Sequence, residues 1–146
     1  MELRPITRDN WYACIKMKVR PDQENFVANN TFSLAQAAYT PGMVPLAAYD
    51  GDTMVGFTMF EATPDDAGRY WIMRVMVDPE QQGKGYGRAL MGAVITRMRH
   101  DITDLHEIAL DYHEDNAVAA KLYASLGFQP TGEREGHEIV ASLKLA

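Results

Sequence analysis

Gly83, Gly85 and Gly87 fall at every second position of Gln82-Gly83-Lys84-Gly85-Tyr86-Gly87-Arg88, directly after an apolar run and directly before a helical one. Three residues without Cβ let the backbone coil tightly and aim successive N–H groups at one point. A helix predicted over Tyr86 to His100 adds the positive end of its macrodipole there. The combination suits an anion, above all a phosphate. A strand-to-helix turn that needs glycine only for tightness carries the same triplet, so the surroundings must decide. The run lacks the Gly-Lys-Ser/Thr ending of a P-loop and the Gly-x-Gly-x-x-Gly spacing of a dinucleotide-binding turn.

The loop must be held by a strand before it and a helix after it. Tyr70 to Val77 reads as that strand, with Trp71, Met73, Val75 and Val77 expected on one face. Upstream, Leu3 to Ile6 is a short apolar start, and Asp9 is expected to cap a helix reaching about Val19. Its stripe of Trp11, Ile15 and Val19, with Tyr12 and Met17 beside it, reads as core. Pro21 breaks that helix, and a second helical run covers Ser33 to Tyr39 with Thr31 or Ser33 as its cap. Val44–Tyr49 and Met54–Glu61 flank Asp50-Gly51-Asp52, a strong hairpin signal. Ile108–Tyr112 is a strand, Asp115-Asn116 opens a helix that Gly127 closes, and Phe128–Thr131 and Glu138–Leu145 supply the last strands. The order predicts one α/β domain over residues 1–146, with strands first antiparallel and then parallel across two helical crossovers.

The chain of 146 residues is 47% hydrophobic, enough for a core of its own without disulfides. Its single cysteine, Cys14, can form neither an internal bridge nor a cysteine-based metal site. No apolar run reaches the roughly 18 residues of a membrane helix, and the N-terminus lacks signal-peptide character, so a cytoplasmic protein without membrane contact is expected. The formal charge of −6 disfavours nucleic acid and favours cationic small molecules.

With these elements in place the sequence resembles the GCN5-related N-acetyltransferases over nearly its whole length. One family signature stands as Gln82-Gly83-Lys84-Gly85-Tyr86-Gly87. The second, a strand, an Asn, then a helix with Leu-Tyr before Gly-Phe, runs from Leu110-Asp111-Tyr112 through Asn116 to Leu122-Tyr123 and Gly127-Phe128. The resemblance implies a mixed, mostly antiparallel sheet of about six or seven strands with a splayed parallel pair and about four helices. It implies acetyl-CoA as co-substrate and no metal. Val75, Met76 and Val77 would pair with the pantetheine arm, and Gln82 to Arg88, including Lys84 and Tyr86, would hold the pyrophosphate. Asn116 would hold the pantetheine chain, Lys121 would reach a phosphate, and an amide near Met76 would polarise the thioester carbonyl. Tyr123 is implied as general acid at the sulfur. Asp111 is the candidate base, with Glu61 and Glu24 as competitors. Cys14 has no activating partner and is not expected to carry the acetyl group.

The segment Glu24-Asn25-Phe26-Val27-Ala28, with Ser33-Leu34-Ala35-Gln36 and Met54-Val55-Gly56-Phe57, is similar to bacterial spermine/spermidine acetyltransferases. A flexible polycation needs spaced carboxylates and aromatic walls. Asp22, Glu24, Glu61, Asp78 and Asp111, with Tyr12, Phe26, Tyr39 and Trp71, are the residues expected to supply them. A solvated acidic face would have the same composition. Acetylation of another amine (a peptide N-terminus, an aminoglycoside or an amino-acid analogue) and an acetyl-CoA sensor without transfer stay open. The resemblance also admits a homodimer.

Overall fold

Asp50-Gly51-Asp52 turns the chain back on itself as expected. Gly51 takes φ 61°, a value that suits glycine, and joins β2 (Met43–Asp50) to β3 (Thr53–Glu61) antiparallel. The computed structural model describes residues 1–21, 24 and 29–145. β1 (Glu2–Pro5) adds to the outer side of β2, and β4 (Tyr70–Val77) pairs antiparallel with β3. β5 (Glu107–His113) lies parallel to β4, and β7 (Glu138–Lys144) returns antiparallel between β5 and β6 (Gln129–Glu135). The result is a mixed seven-stranded sheet in the order β1-β2-β3-β4-β5-β7-β6.

Among the described residues four α-helices complete the architecture: α1 (Trp11–Lys16), α2 (Asn30–Tyr39), α3 (Tyr86–Asp101) and α4 (Ala117–Ser125). The α/β class, the mostly antiparallel sheet and the helix number agree with the expectation. The strands run parallel across both helical crossovers, as expected, but the second pair are not neighbours. α3 does connect neighbouring parallel strands, but α4 carries the chain past the place that β7 fills, so β4–β5 is the parallel pair of neighbours.

The helices cover opposite faces. Met91, Val94 and Met98 of α3 pack with Phe60, Ile72, Ile108 and Leu110, and Leu122, Tyr123 and Leu126 of α4 close the same cluster. Across the sheet, Cys14 and Met17 pack with Phe57, Met59 and Met76, joined by Leu34 and Ala37 of α2. The expected stripe holds in part: Met17 is buried and Val19 packs with the same cluster, but Trp11 and Tyr12 are exposed and Cys14 is the buried residue of α1. The helix is only six residues long, preceded by Asn10 rather than capped by Asp9. Asn29, not Thr31 or Ser33, caps α2 by accepting from the Phe32 N–H at 2.7 Å.

β4 does not keep a two-residue period. Met59 pairs with Arg74 and Phe60 with Ile72, which leaves Met73 as the extra residue of a bulge. Ile72 and Val75 therefore pack with the α3/α4 cluster, while Met73 packs on the α1/α2 side, where Arg74 also reaches Gln36 of α2. The expectation that Met73, Val75 and Val77 share a face is overturned by this single inserted residue.

Candidate active site

β4 and β5 are joined through two residue pairs, Tyr70 with Ile108 and Trp71 with Ala109. From Ile72 onward β4 keeps β3 on one side, and among the described residues no strand pairs with its other side. Backbone groups there are open to a ligand that can act as a strand. The gap forms a cleft of about 500 Å³ between Met73–Val77, Leu110–Tyr112, the loop residues Gln82, Gly83 and Gly87, and the α4 residues Ala119, Leu122 and Tyr123, with Asn116 at its edge.

The loop is built as its composition requires. Gly83 and Gly85 take φ 84° and 79° with nothing near enough to contact an added Cβ, so glycine is needed there for conformation rather than space. Gly85 caps α3, whose first bond runs from the Ala89 N–H to Gly85 O at 3.2 Å, leaving the preceding amides outside the helical ladder. Gln82 Nε2 donates to Val77 O at 3.1 Å and ties the loop to the end of β4. Three other expected donor contacts are engaged within the protein: Lys84 Nζ bonds Gln81 at 3.2 Å, the Tyr86 hydroxyl bonds Asp50, and Arg88 bonds Ser125 at 2.7 Å. Lys121 is exposed on α4 outside the cleft lining.

α4 starts where Asn116 Oδ1 accepts from the Ala119 N–H at 3.1 Å and ends at Gly127, φ 98°. It carries Tyr123 to the cleft, with ring centroids 5.7 Å from Tyr112 and 6.0 Å from Phe128. Burial, helped by the charge of Asp111, pushes the Tyr123 phenol up to about 12. It is therefore a proton donor at neutral pH.

Asp111 enters from the other side of the gap. Its carboxyl is raised above the usual range by burial and by Glu135, against the opposing pull of Arg74. The strand register explains the company it keeps. Asp111 and His113 share a face of β5, Glu138 stands opposite His113, and Glu135 stands opposite Glu138. Glu138 lines the cleft and is itself raised, by burial first and then by Asp111.

Arg74 was not foreseen among the cleft residues. A lone arginine within an otherwise apolar strand was the available signal, because such a charge must find partners or line a cavity. It donates to Met73 O at 2.8 Å and to Gln36 Oε1 at 3.0 Å, with its guanidinium 5.8 Å from the Phe32 ring centre. Burial lowers its pKa and Asp111 opposes that shift.

Several expected acceptor residues lie elsewhere. Glu61 ends β3 beside Met43, past the Phe60–Ile72 pairing, where β4 and β5 are still joined. The Trp71 indole donates to Asp65 at 2.8 Å beneath Arg69, as part of a loop clamp. Asp78 accepts from the Glu80 N–H at 3.1 Å and caps the turn Pro79–Gln81. Tyr12 stacks against Trp11 and Lys16, and Tyr39 is 89% exposed at the end of α2. Glu24 lines a second cavity of about 640 Å³ with Ile15, Asn29 and Phe32, and Val19 and Met76 border both spaces. Asp22 and Phe26 lie outside the described residues. The Cys14 thiol is pushed up to about 11 by burial, against any nucleophilic role. Among the described residues no group of His, Cys, Asp or Glu converges as a metal site, and no helix is long and apolar enough to cross a membrane.

The family model for the acetyltransferase (GNAT) family matches residues 3–128. Spermine/spermidine N(1)-acetyltransferase of Bacillus subtilis is 28% identical over 138 residues, which cover 91% of this chain and 90% of that protein. The fold matches the crystal structure of PaiA N-acetyltransferase from Thermoplasma acidophilum in complex with coenzyme A, with TM-score 0.74, 15% identity and coverage of 99% and 98% of the two chains. It also matches the ribosomal-protein-S18-alanine N-acetyltransferase of Escherichia coli, with TM-score 0.76, 17% identity and coverage of 99% and 94%. The positive-φ glycine loop, the helix that starts on it and the open edge of β4 are what a long phosphorylated thioester requires, and with the family match over most of its length the chain belongs to the acetyltransferase (GNAT) family as an N-acetyltransferase that uses acetyl-CoA.

Proposed function

We propose that this N-acetyltransferase moves the acetyl group to a primary amine of a polyamine of the spermine/spermidine kind, by direct attack within a ternary complex. The observation that carries the acceptor reading is the pair of carboxylates Asp111 and Glu138, both lining the cleft and diagonal to one another in the strand register, with Glu135 standing opposite Glu138 just outside it. Such a group attracts a spaced polycation and loses its own repulsion when it binds one. The formal charge of −6 and the likeness to the B. subtilis polyamine enzyme support the same class.

In this reading Asp111 takes the proton that the amine must lose before its nitrogen attacks the thioester carbonyl. The new C–N bond forms as the C–S bond breaks, Tyr123 protonates the departing thiolate, and the second proton released from the acylated nitrogen restores the phenol. Val75 to Val77 supply backbone groups to the pantetheine arm, and an amide near Met76 faces the oxygen on which charge develops. The loop Gln82 to Arg88 takes the pyrophosphate, and Asn116 borders the arm. Glu24 extends the acceptor path into the second cavity.

Acetyl-CoA turnover measured with spermine, spermidine, an alanine-initiated peptide and an aminoglycoside tests the acceptor. Saturable turnover with the polyamines is expected. Saturable activity on the peptide with none on polyamines would overturn the assignment in favour of peptide N-termini.

A further inference from the structure

The bulge in β4 has turned Arg74 out of the alternation that would otherwise set it beside Ile72, and Arg74 and Asp111 line the same cleft from the two strands that part after Trp71 and Ala109. An inserted residue at a sheet rim re-aims a side chain, and here it re-aims a cation into a half-buried place. Its orientation is fixed by two hydrogen bonds, one to the bulge carbonyl of Met73 and one to Gln36 of α2, and by the Phe32 ring. Nε is buried without a hydrogen-bond partner among the described residues. A guanidinium held with its buried Nε donor unused and no carboxylate at bonding distance among the described residues is poorly explained as a structural ion pair.

We infer that Arg74 is a positioning residue for the transfer step, a fixed cation across the splay that keeps Asp111 ionised and therefore able to accept the proton of the incoming amine. The inference rests on the reading of Asp111 as the base. The groups around Asp111 come from every neighbouring element: Glu138 on β7, Glu135 on β6, His113 on its own strand, Tyr123 on α4 and Arg74 on β4. Burial and Glu135 favour the protonated carboxyl, which is no base. Arg74 is the permanent cation that acts on Asp111 in the opposite sense.

The test follows Asp111 directly and through turnover. Carboxyl ¹³C resonances of aspartate-labelled protein are titrated, with the Asp111 signal identified by its disappearance in Asp111→Asn, and kcat/KM for spermidine is measured over the same pH range. Arg74→Gln and Arg74→Met should move the Asp111 midpoint to higher pH and reduce turnover roughly tenfold on the acid side, a loss that shrinks as pH rises. Arg74→Lys, which keeps the charge, should restore most of the wild-type profile. An Asp111 midpoint that stays in place in both neutral variants, or a loss of turnover equal at all pH values, would overturn the role of Arg74 while leaving the base assignment intact. An acid limb that persists in Asp111→Asn would instead remove the base assignment and this inference with it. If the neutral variants fail to fold, the lysine variant still decides, because a purely structural role for the planar fork predicts that lysine too is defective at every pH.

Discussion

A Cβ on Gly56 would stand 2.5 Å from the carbonyl oxygen of Met76. β3 and β4 thus approach more closely at the cleft end of β4 than any side chain at position 56 permits. The oxygen belongs to backbone and cannot swing aside. Gly56→Ala is expected to destabilise the fold by about 1–3 kcal/mol, as overpacking in a buried strand does. A calorimetric melt should register a clear drop in Tm, and CoA affinity should fall with it because Met76 borders the donor cleft.

The glycines of the loop separate conformation from space. Gly85 has φ 79° and an open surround, whereas Gly87 lies in the helix, where an added Cβ would meet Leu122 at an ordinary 3.5 Å. Gly85→Ala should cost about 1 kcal/mol of local strain. Titration calorimetry with CoA should find weaker binding for Gly85→Ala than for Gly87→Ala, since only the former alters the loop amides proposed to take the pyrophosphate. Equal weakening of both would show that space at the helix start matters more than backbone conformation.

Tyr123→Phe keeps the ring between Tyr112 and Phe128 and removes only the hydroxyl. Turnover should drop roughly 10²-fold while CoA affinity stays within about twofold. Because the phenol sits at about 12, its ionisation should produce no alkaline limb in kcat below about pH 10. A wild-type limb near pH 8 that vanishes in the phenylalanine variant would remove this assignment.

Asp65 gives the fold an acid-sensitive clamp. Burial resists its ionisation, but the hydrogen bonds from the Trp71 indole, the Arg69 backbone and guanidinium and the Ala67 N–H outweigh burial together and hold the carboxyl at about 2. A depressed carboxyl stabilises the folded chain fully above its unfolded value near 4, and the contribution disappears as pH falls through 2. Tm should therefore decline between about pH 4 and 2, and Asp65→Asn should have a lower Tm at pH 7 with a shallower decline. Identical slopes for the two proteins would exclude the clamp.

Local sequence was a good guide where local chemistry determines the outcome. The hairpin at Gly51, the loop at Gly83 and Gly85 and the closing Gly127 all follow from backbone conformations that glycine alone adopts easily. Tyr123 and Asp111 do line one cleft, as the family signatures imply. The strand face of β4 was illegible because a bulge adds one residue without changing composition, and the identity of the inserted residue depends on pairing with β3. The same insertion hides which face Arg74 takes, although a lone arginine in an apolar strand is visible in the sequence. Trp71, Asp78 and Glu61 had the right chemistry for a polyamine slot, but the first two are engaged by turns they stabilise and Glu61 sits at the closed end of the splay. Composition cannot distinguish a carboxylate that caps a turn from one that awaits a substrate.

The two residue pairs that join β4 to β5 have a mechanical meaning as well. Two hydrogen-bonded ladders meet at a seam only two pairs long, and what spans it is the apolar cluster in which Phe60 and Ile72 from one ladder touch Ile108 and Leu110 from the other. Cohesion across the seam is thus set by solvent-driven burial, which weakens on cooling and in urea, rather than by directional bonds. Mild urea should widen the mouth of the cleft before it melts either ladder, so that donor affinity fades at concentrations where the far-ultraviolet spectrum is still native.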